Sequence, residues 1–180
     1  MTTDTLKLIQ AVTGHGETGR APAPVHLWNP DHCGEMDLVI RADGVWMHEG
    51  SPIGRPELVR LFATVLRKDP DGYYLVTPIE KLKITVEDAP FRAVRADVED
   101  GDIVFTTDMG EQVRAGDDHP IRVETDPETG EPAPYVHVRG DLEARIARPV
   151  FYELADMAAL EDGRMVIGSG GRDFVLGRVS

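Results

Sequence analysis

One cysteine in 180 residues, Cys33, is too few for an internal disulfide or for a multi-thiolate zinc or iron–sulfur site within one chain. Long apolar runs are missing too, and none approaches the ~18 residues of a membrane span. The opening MTTDTLKLIQ has no basic segment followed by an apolar signal core, so a cytoplasmic location and no membrane partner are expected. Cations are scarce: Lys and Arg number 19 against 32 Asp and Glu, a formal charge of −13. Such a surface repels a phosphate backbone, which sets nucleic acid aside as a partner. What is present is a globular mix, 41% hydrophobic and 28% charged, long enough to bury a core in one domain or two small ones.

Glycine (18) and proline (13) fall in short punctuating pairs, so the fold is rich in turns. Residues 1–23 read as a leader, with Leu6, Leu8, Ile9, Ala11 and Val12 forming a docked helical turn before a loose linker. MDLVIRADGVWMHEG places two apolar runs around Asp43-Gly44, the strongest short hairpin signal. Pro56 suits a first helical turn, and Leu58, Val59, Leu61, Phe62, Val65 and Leu66 recur at helical spacing. Phe62 and Leu58 there, and Phe151 and Leu154 in a second helix from Pro149 to about Leu160, are the expected core. YYLVTP, KLKITVED, FRAVRADVED and DIVFTTD follow one another as a β-meander, and RMVIG and DFVLG close the chain as strands. The order of hairpin, Arg-Pro, helix, Asp-Gly and strand occurs twice, around Arg55-Pro56 and around Arg148-Pro149, and reads as an internal duplication or as two independent hairpin–helix units.

Candidate chemistry is thin. His26, His32, Cys33 and His48 match no standard ligand interval, and Cys33 lacks the flanks of a catalytic cysteine. The run Gly168-Ser169-Gly170-Gly171 has no following helix and no P-loop lysine, and reads as a loose hairpin turn. The acidic runs 98–102 and 116–118 lack a calcium loop's alternating ligands and distal Glu. No general base stands with a nucleophile or metal, so a non-catalytic protein without a cofactor is expected. Glu49-Gly50-Ser51-Pro52-Ile53-Gly54-Arg55 is more promising, because a rigid loop with Arg55 at a helix entrance can hold an anion, or Arg55 can pair with Glu49 or Glu57 and anchor the loop. Trp46 offers either a stacking face or a core anchor.

WNP at 28–30, ADGVWMHEGSPIGR at 42–55, LVRLF at 58–62, YYLVTPIEK at 73–81, VEDAPF at 86–91, YVHVR at 135–139 and LEARIARPVFYEL at 142–154 together resemble the bacterial domain-of-unknown-function family 1285. The resemblance implies a duplicated α+β core whose C-terminal half is like a pleckstrin-homology barrel. It also implies a ligand site between the halves, for a nucleotide-like molecule, and a part in signalling. Its motif positions here are Trp46, Glu49, Arg55, Glu80, Lys81, Asp88, Arg139 and Arg148, and Asp108 stands where the family pattern has Asn.

The sequence thus points to an α+β protein of two similar halves, 24–76 and 77–180, each with a β-hairpin or meander and one helix. Its expected partner is a small anion bound by Trp46, Glu49, Arg55, Glu80, Lys81, Asp88 and Arg139. The alternative is a protein-interaction adaptor of pleckstrin-homology-like type in which those residues are structural.

Overall fold

Asp43-Gly44 turns the chain as its sequence demands: Gly44 has φ 90°, the Asp43 carboxylate accepts the Val45 N–H at 3.1 Å, and Ile40 stands opposite Trp46 across the hairpin. A computed structural model describes Leu6, Lys7, Ile9 and residues 21–179. Of the leader, Leu6, Lys7 and Ile9 are helical and Ile9 is buried, while the linker reading for 10–20 falls outside the described residues. The chain divides into two compact units, Met1–Asp88 and Ala89–Ser180.

The N-terminal unit contains a 3-10 turn (Val25–Leu27), β1 (His32–Ile40), β2 (Trp46–His48), β3 (Ser51–Pro52), helix α1 (Pro56–Thr64), β4 (Leu66–Asp69), β5 (Gly72–Val76) and β6 (Glu80–Val86). They form one mixed sheet in the order β3-β2-β1-β6-β5-β4, with β1 and β6 parallel. Strand alternation sends Leu38, Ile40, Trp46, Leu66, Leu75 and Ile84 to one face, and all six are buried together with Leu61 and Phe62 of α1. Arg67, Asp69, Tyr74, Lys81 and Lys83 occupy the other face.

The C-terminal unit holds β7 (Phe91–Glu99), β8 (Asp102–Thr107), β9 (Gln112–Arg114), β10 (Ile121–Thr125), β11 (Pro132–Arg139), β12 (Leu142–Ile146), α2 (Arg148–Met157), β13 (Ala159–Glu161), β14 (Arg164–Ser169) and β15 (Arg172–Arg178). Its main sheet runs β10-β11-β12-β7-β8-β9, again with one parallel pair, β12 and β7, and β13-β14-β15 form a second sheet. Past the leader, each unit therefore has a six-stranded mixed sheet and, among the described elements, one α-helix, and hairpin, helix, hairpin recurs in order as β1-β2, α1, β4-β5 and as β11-β12, α2, β13-β14.

Three differences from the sequence reading have physical causes. Both helices stop early, at Thr64 and Met157, because the residues before each Asp-Gly pair are strands: Leu66 pairs with Leu75, and Leu160 with Met165. Leu58, in the first turn of α1, is only half-buried, while Phe62, Phe151 and Leu154 are buried. The expected meander breaks between β6 and β7, since β6 pairs with β1 and β5, and Asp88-Ala89-Pro90 carries the chain into the next unit. β6 thus lies with the N-terminal unit, past the boundary drawn at 76/77.

Candidate functional site

Trp46 sits on β2 with 3% of its surface exposed, which makes it a core residue and withdraws its ring from stacking on a ligand. Its indole Nε1 has no hydrogen-bond partner among the described residues. Glu49 adopts the left-handed conformation (φ 50°) beside Gly50 (φ 82°), the pair that a tight turn between β2 and β3 needs, and its carboxylate points to solvent 4.0 Å from His48 Nε2. Arg55 precedes α1 as its N-cap; its carbonyl accepts the Leu58 and Val59 N–H groups and its side chain is exposed.

Lys81 is committed within its own unit. Its Nζ lies 2.5 Å from Asp69 Oδ2 and 4.0 Å from the Tyr74 ring centroid. Arg67 clamps the same carboxylate at 2.8 Å and donates through Nη1 to the carbonyls of Val25 and Trp28, tying the 3-10 turn to β4. Burial alone would raise the Asp69 pKa, but the hydrogen bonds and charges of Arg67 and Lys81 prevail and hold it below the ordinary value. Tyr74 donates to Asp71 at 2.7 Å, and this bond, helped by burial, pushes its phenol up to about 12. Glu80 opens β6, exchanging bonds with Thr77, and Asp88 follows that strand half-buried and engaged.

In the C-terminal unit Arg139 meets Glu111 at 3.2 Å and stacks over Phe91, and Arg148 meets Glu131 at 3.0 Å on the surface. Asp108, in the place of the expected Asn, accepts the Arg92 N–H at 3.1 Å and returns its own N–H to the Arg92 carbonyl at 2.8 Å. Burial raises its pKa against the pull of these backbone bonds. The glycine run is no loose turn: Ser169 is buried, accepts the Ile103 N–H and donates to the Ala115 carbonyl, both at 2.8 Å, and Gly170 (φ 61°) lies against Ala115 and Gly116. Among the described residues no three metal-ligating side chains converge.

Lys81 and Arg139 thus already have carboxylate partners, Asp69 and Glu111, each within its own unit. The sequence reading missed a groove of about 530 Å³ in the C-terminal unit. β10 supplies Val123 and Thr125, the following turn and β11 supply Gly130 and Pro132, α2 supplies Phe151, β14 supplies Met165, and the end of β15 supplies Leu176, Gly177 and Arg178. This size suits a small ligand, for which ~300–1,000 Å³ is usual. Arg178 makes no ion pair or hydrogen bond among the described residues, whereas Arg95, Arg114, Arg122, Arg139, Arg148 and Arg172 each meet a carboxylate. No local sequence signal marks the groove, because its walls come from separate elements, β10, β11, α2, β14 and β15.

No curated protein matches the chain. A crystal structure of a DUF1285 family protein from Silicibacter pomeroyi DSS-3 is 46% identical, covers 96% of this chain and 95% of its own, and superposes with a TM-score of 0.85. A DUF1285 family protein from Shewanella baltica OS155 shares the fold at 23% identity and a TM-score of 0.56, over 69% of this chain and 94% of its own. Residues 23–89 match the family model for the N-terminal domain of DUF1285, a domain of unknown function, and residues 90–176 match that for its C-terminal domain. With both domain models matched in order and a full-length relative this similar, the chain belongs to the DUF1285 family.

Proposed function

We propose that this protein is a non-catalytic binder of a small amphiphilic anion, held in the groove of its C-terminal unit with Arg178 facing the charged end. The observation that supports this is an apolar-walled groove bordered by an arginine that has no carboxylate partner among the described residues of a chain of charge −13. Val123, Pro132, Phe151, Met165 and Leu176 give an alkyl or similar body a surface to dry, and the guanidinium supplies the one strong polar contact that orients it. The surrounding carboxylates reject anions that lack the apolar body, because only burial outweighs the long-range repulsion. A nucleotide-like ligand fits less well, since Trp46, the residue considered for stacking on a base, is buried in the N-terminal unit. A pleckstrin-homology-like C-terminal fold and a signalling role are expectations of the family resemblance, and the groove depends on neither.

Isothermal titration of the full chain with octanoate, below its micelle concentration, tests the reading. Binding to the wild type, weakened by Arg178→Gln and abolished by filling the groove with Val123→Trp, is the expected outcome. A wild type that takes up no heat and gains no thermal stability at millimolar octanoate overturns it.

A further inference from the structure

Arg164 and Arg178 are direct cross-strand partners on β14 and β15. Side chains so placed lie on one face with Cβ atoms ~4.5–5.5 Å apart, and like charges there repel. The remaining neighbour in register is Glu161 on β13, yet neither guanidinium forms an ion pair or hydrogen bond among the described residues. The choice is unusual for this unit, whose cations are all arginines and which is rich in Asp and Glu. Its other surface arginines turn to carboxylates: Arg122 to Glu143 at 2.7 Å, Arg95 to Asp97 at 2.8 Å, Arg172 to Asp117 at 3.4 Å. Two uncompensated arginines are thus held side by side at the end of the hairpin where Met165, Gly177 and Arg178 border the groove.

Resting on the groove as an anion site, we propose that Arg164 and Arg178 form a clamp that selects a doubly charged phosphate monoester over a carboxylate. A carboxylate has two oxygens in one plane, which one guanidinium fork satisfies. A phosphate monoester has three terminal oxygens and, above its second pKa of ~6, nearly two charges, so it engages two forks at once and relieves their mutual repulsion. Arg178, on the groove, holds one side of the head, and Arg164, outside the groove's lining, adds the contact that only the larger head reaches.

The test compares octyl phosphate with octanoate by isothermal titration of the full chain at about pH 8, where the monoester is doubly charged. Octyl phosphate is expected to bind at least about tenfold more tightly, a difference of ~1.4 kcal/mol. Arg164→Gln should abolish that preference while leaving octanoate affinity within about twofold, and Arg178→Gln should weaken both ligands; unchanged melting temperatures of the unliganded variants certify their folding. Equal affinity of the wild type for the two ligands, or a preference that survives Arg164→Gln, overturns the clamp and leaves the groove reading standing. Failure of both ligands to bind overturns both. Phosphatidic acid vesicles present the same head on a membrane, and protein that stays in the supernatant while binding octyl phosphate supports a soluble ligand; protein that pellets with the vesicles and ignores octyl phosphate overturns it.

Discussion

Lys81 Nζ and Asp69 Oδ2 stand 2.5 Å apart on a sheet face where both side chains are four-fifths buried, with Arg67 on the other side of the same carboxylate. One anion thus neutralises two cations that would otherwise be stranded between β4, β5 and β6. Breaking a buried network by removing its shared member costs more than removing either outer one, because it leaves charges without compensation.

Asp69→Ala should therefore cost ~3–5 kcal/mol in urea denaturation, and Lys81→Met markedly less, since Asp69 keeps Arg67. Because the folded pKa of Asp69 lies below 3.8, its stabilising contribution is complete above that pH and fades as pH falls through the folded value. Acid titrations of wild type and Asp69→Ala should converge at low pH; curves that stay parallel down to acid unfolding contradict the network.

Trp46→Phe should be nearly neutral, within ~1 kcal/mol, although the residue is buried. The smaller ring loses packing, but the substitution also removes a buried N–H that lacks a partner, a defect worth ~1–3 kcal/mol. Leu75→Ala, equally buried and without that offset, should lose ~2–5 kcal/mol. A Trp46→Phe loss as large as that of Leu75→Ala shows that the indole N–H is satisfied in solution.

Gly170 and Gly171 separate conformational from steric cost. Both have positive φ, 61° and 74°, so alanine at either pays ~1–2 kcal/mol for the left-handed conformation. At Gly171 a Cβ meets nothing within 4 Å, whereas at Gly170 it would lie 2.6 Å from the Ala115 carbonyl oxygen and 2.8 Å from Gly116 Cα. Thermal denaturation should rank Gly170→Ala well below Gly171→Ala, and equal melting temperatures would mean that this contact opens freely.

Asp108→Asn should raise the melting temperature at neutral pH. Burial lifts the folded pKa of Asp108 above 3.8, so the protein pays for ionising it as pH climbs through that range, and the amide removes the charge while keeping an oxygen for the Arg92 N–H. The gain should shrink towards about pH 3, where wild-type Asp108 is protonated in both states. A gain independent of pH assigns the effect to something other than charge.

Local chemistry in this chain was legible where one or two residues decide the backbone. Asp43-Gly44, Arg55-Pro56 and Arg148-Pro149 did so, and the buried Phe62 and Phe151 followed from helical spacing. The strands β4 and β13 were not, because LRKD and ALE continue a helical pattern and become strands only by pairing with β5 and β14. The parallel pairing of β1 with β6 joins segments far apart in sequence, and no local signal encodes it. Charged motif residues were legible as important positions but not as partners: nothing in TPIEK says that Lys81 will find Asp69 rather than a ligand. The groove was missed for the same reason, since its walls come from β10, β11, α2, β14 and β15.

The parallel pairs also set an order of events in folding. His32 meets Glu80, and Phe91 meets Ala144, so each main sheet gains its central pairing only when its last strand is available. Hairpins such as β1-β2 and β7-β8 close short loops and form early, while joining β6 to β1 closes a long one and carries the larger entropic barrier. During synthesis the N-terminal unit cannot complete its sheet until β6 has left the ribosome, and a chain halted before Glu80 exposes β1 and β5 as two unpaired edges, each a template for pairing with another copy.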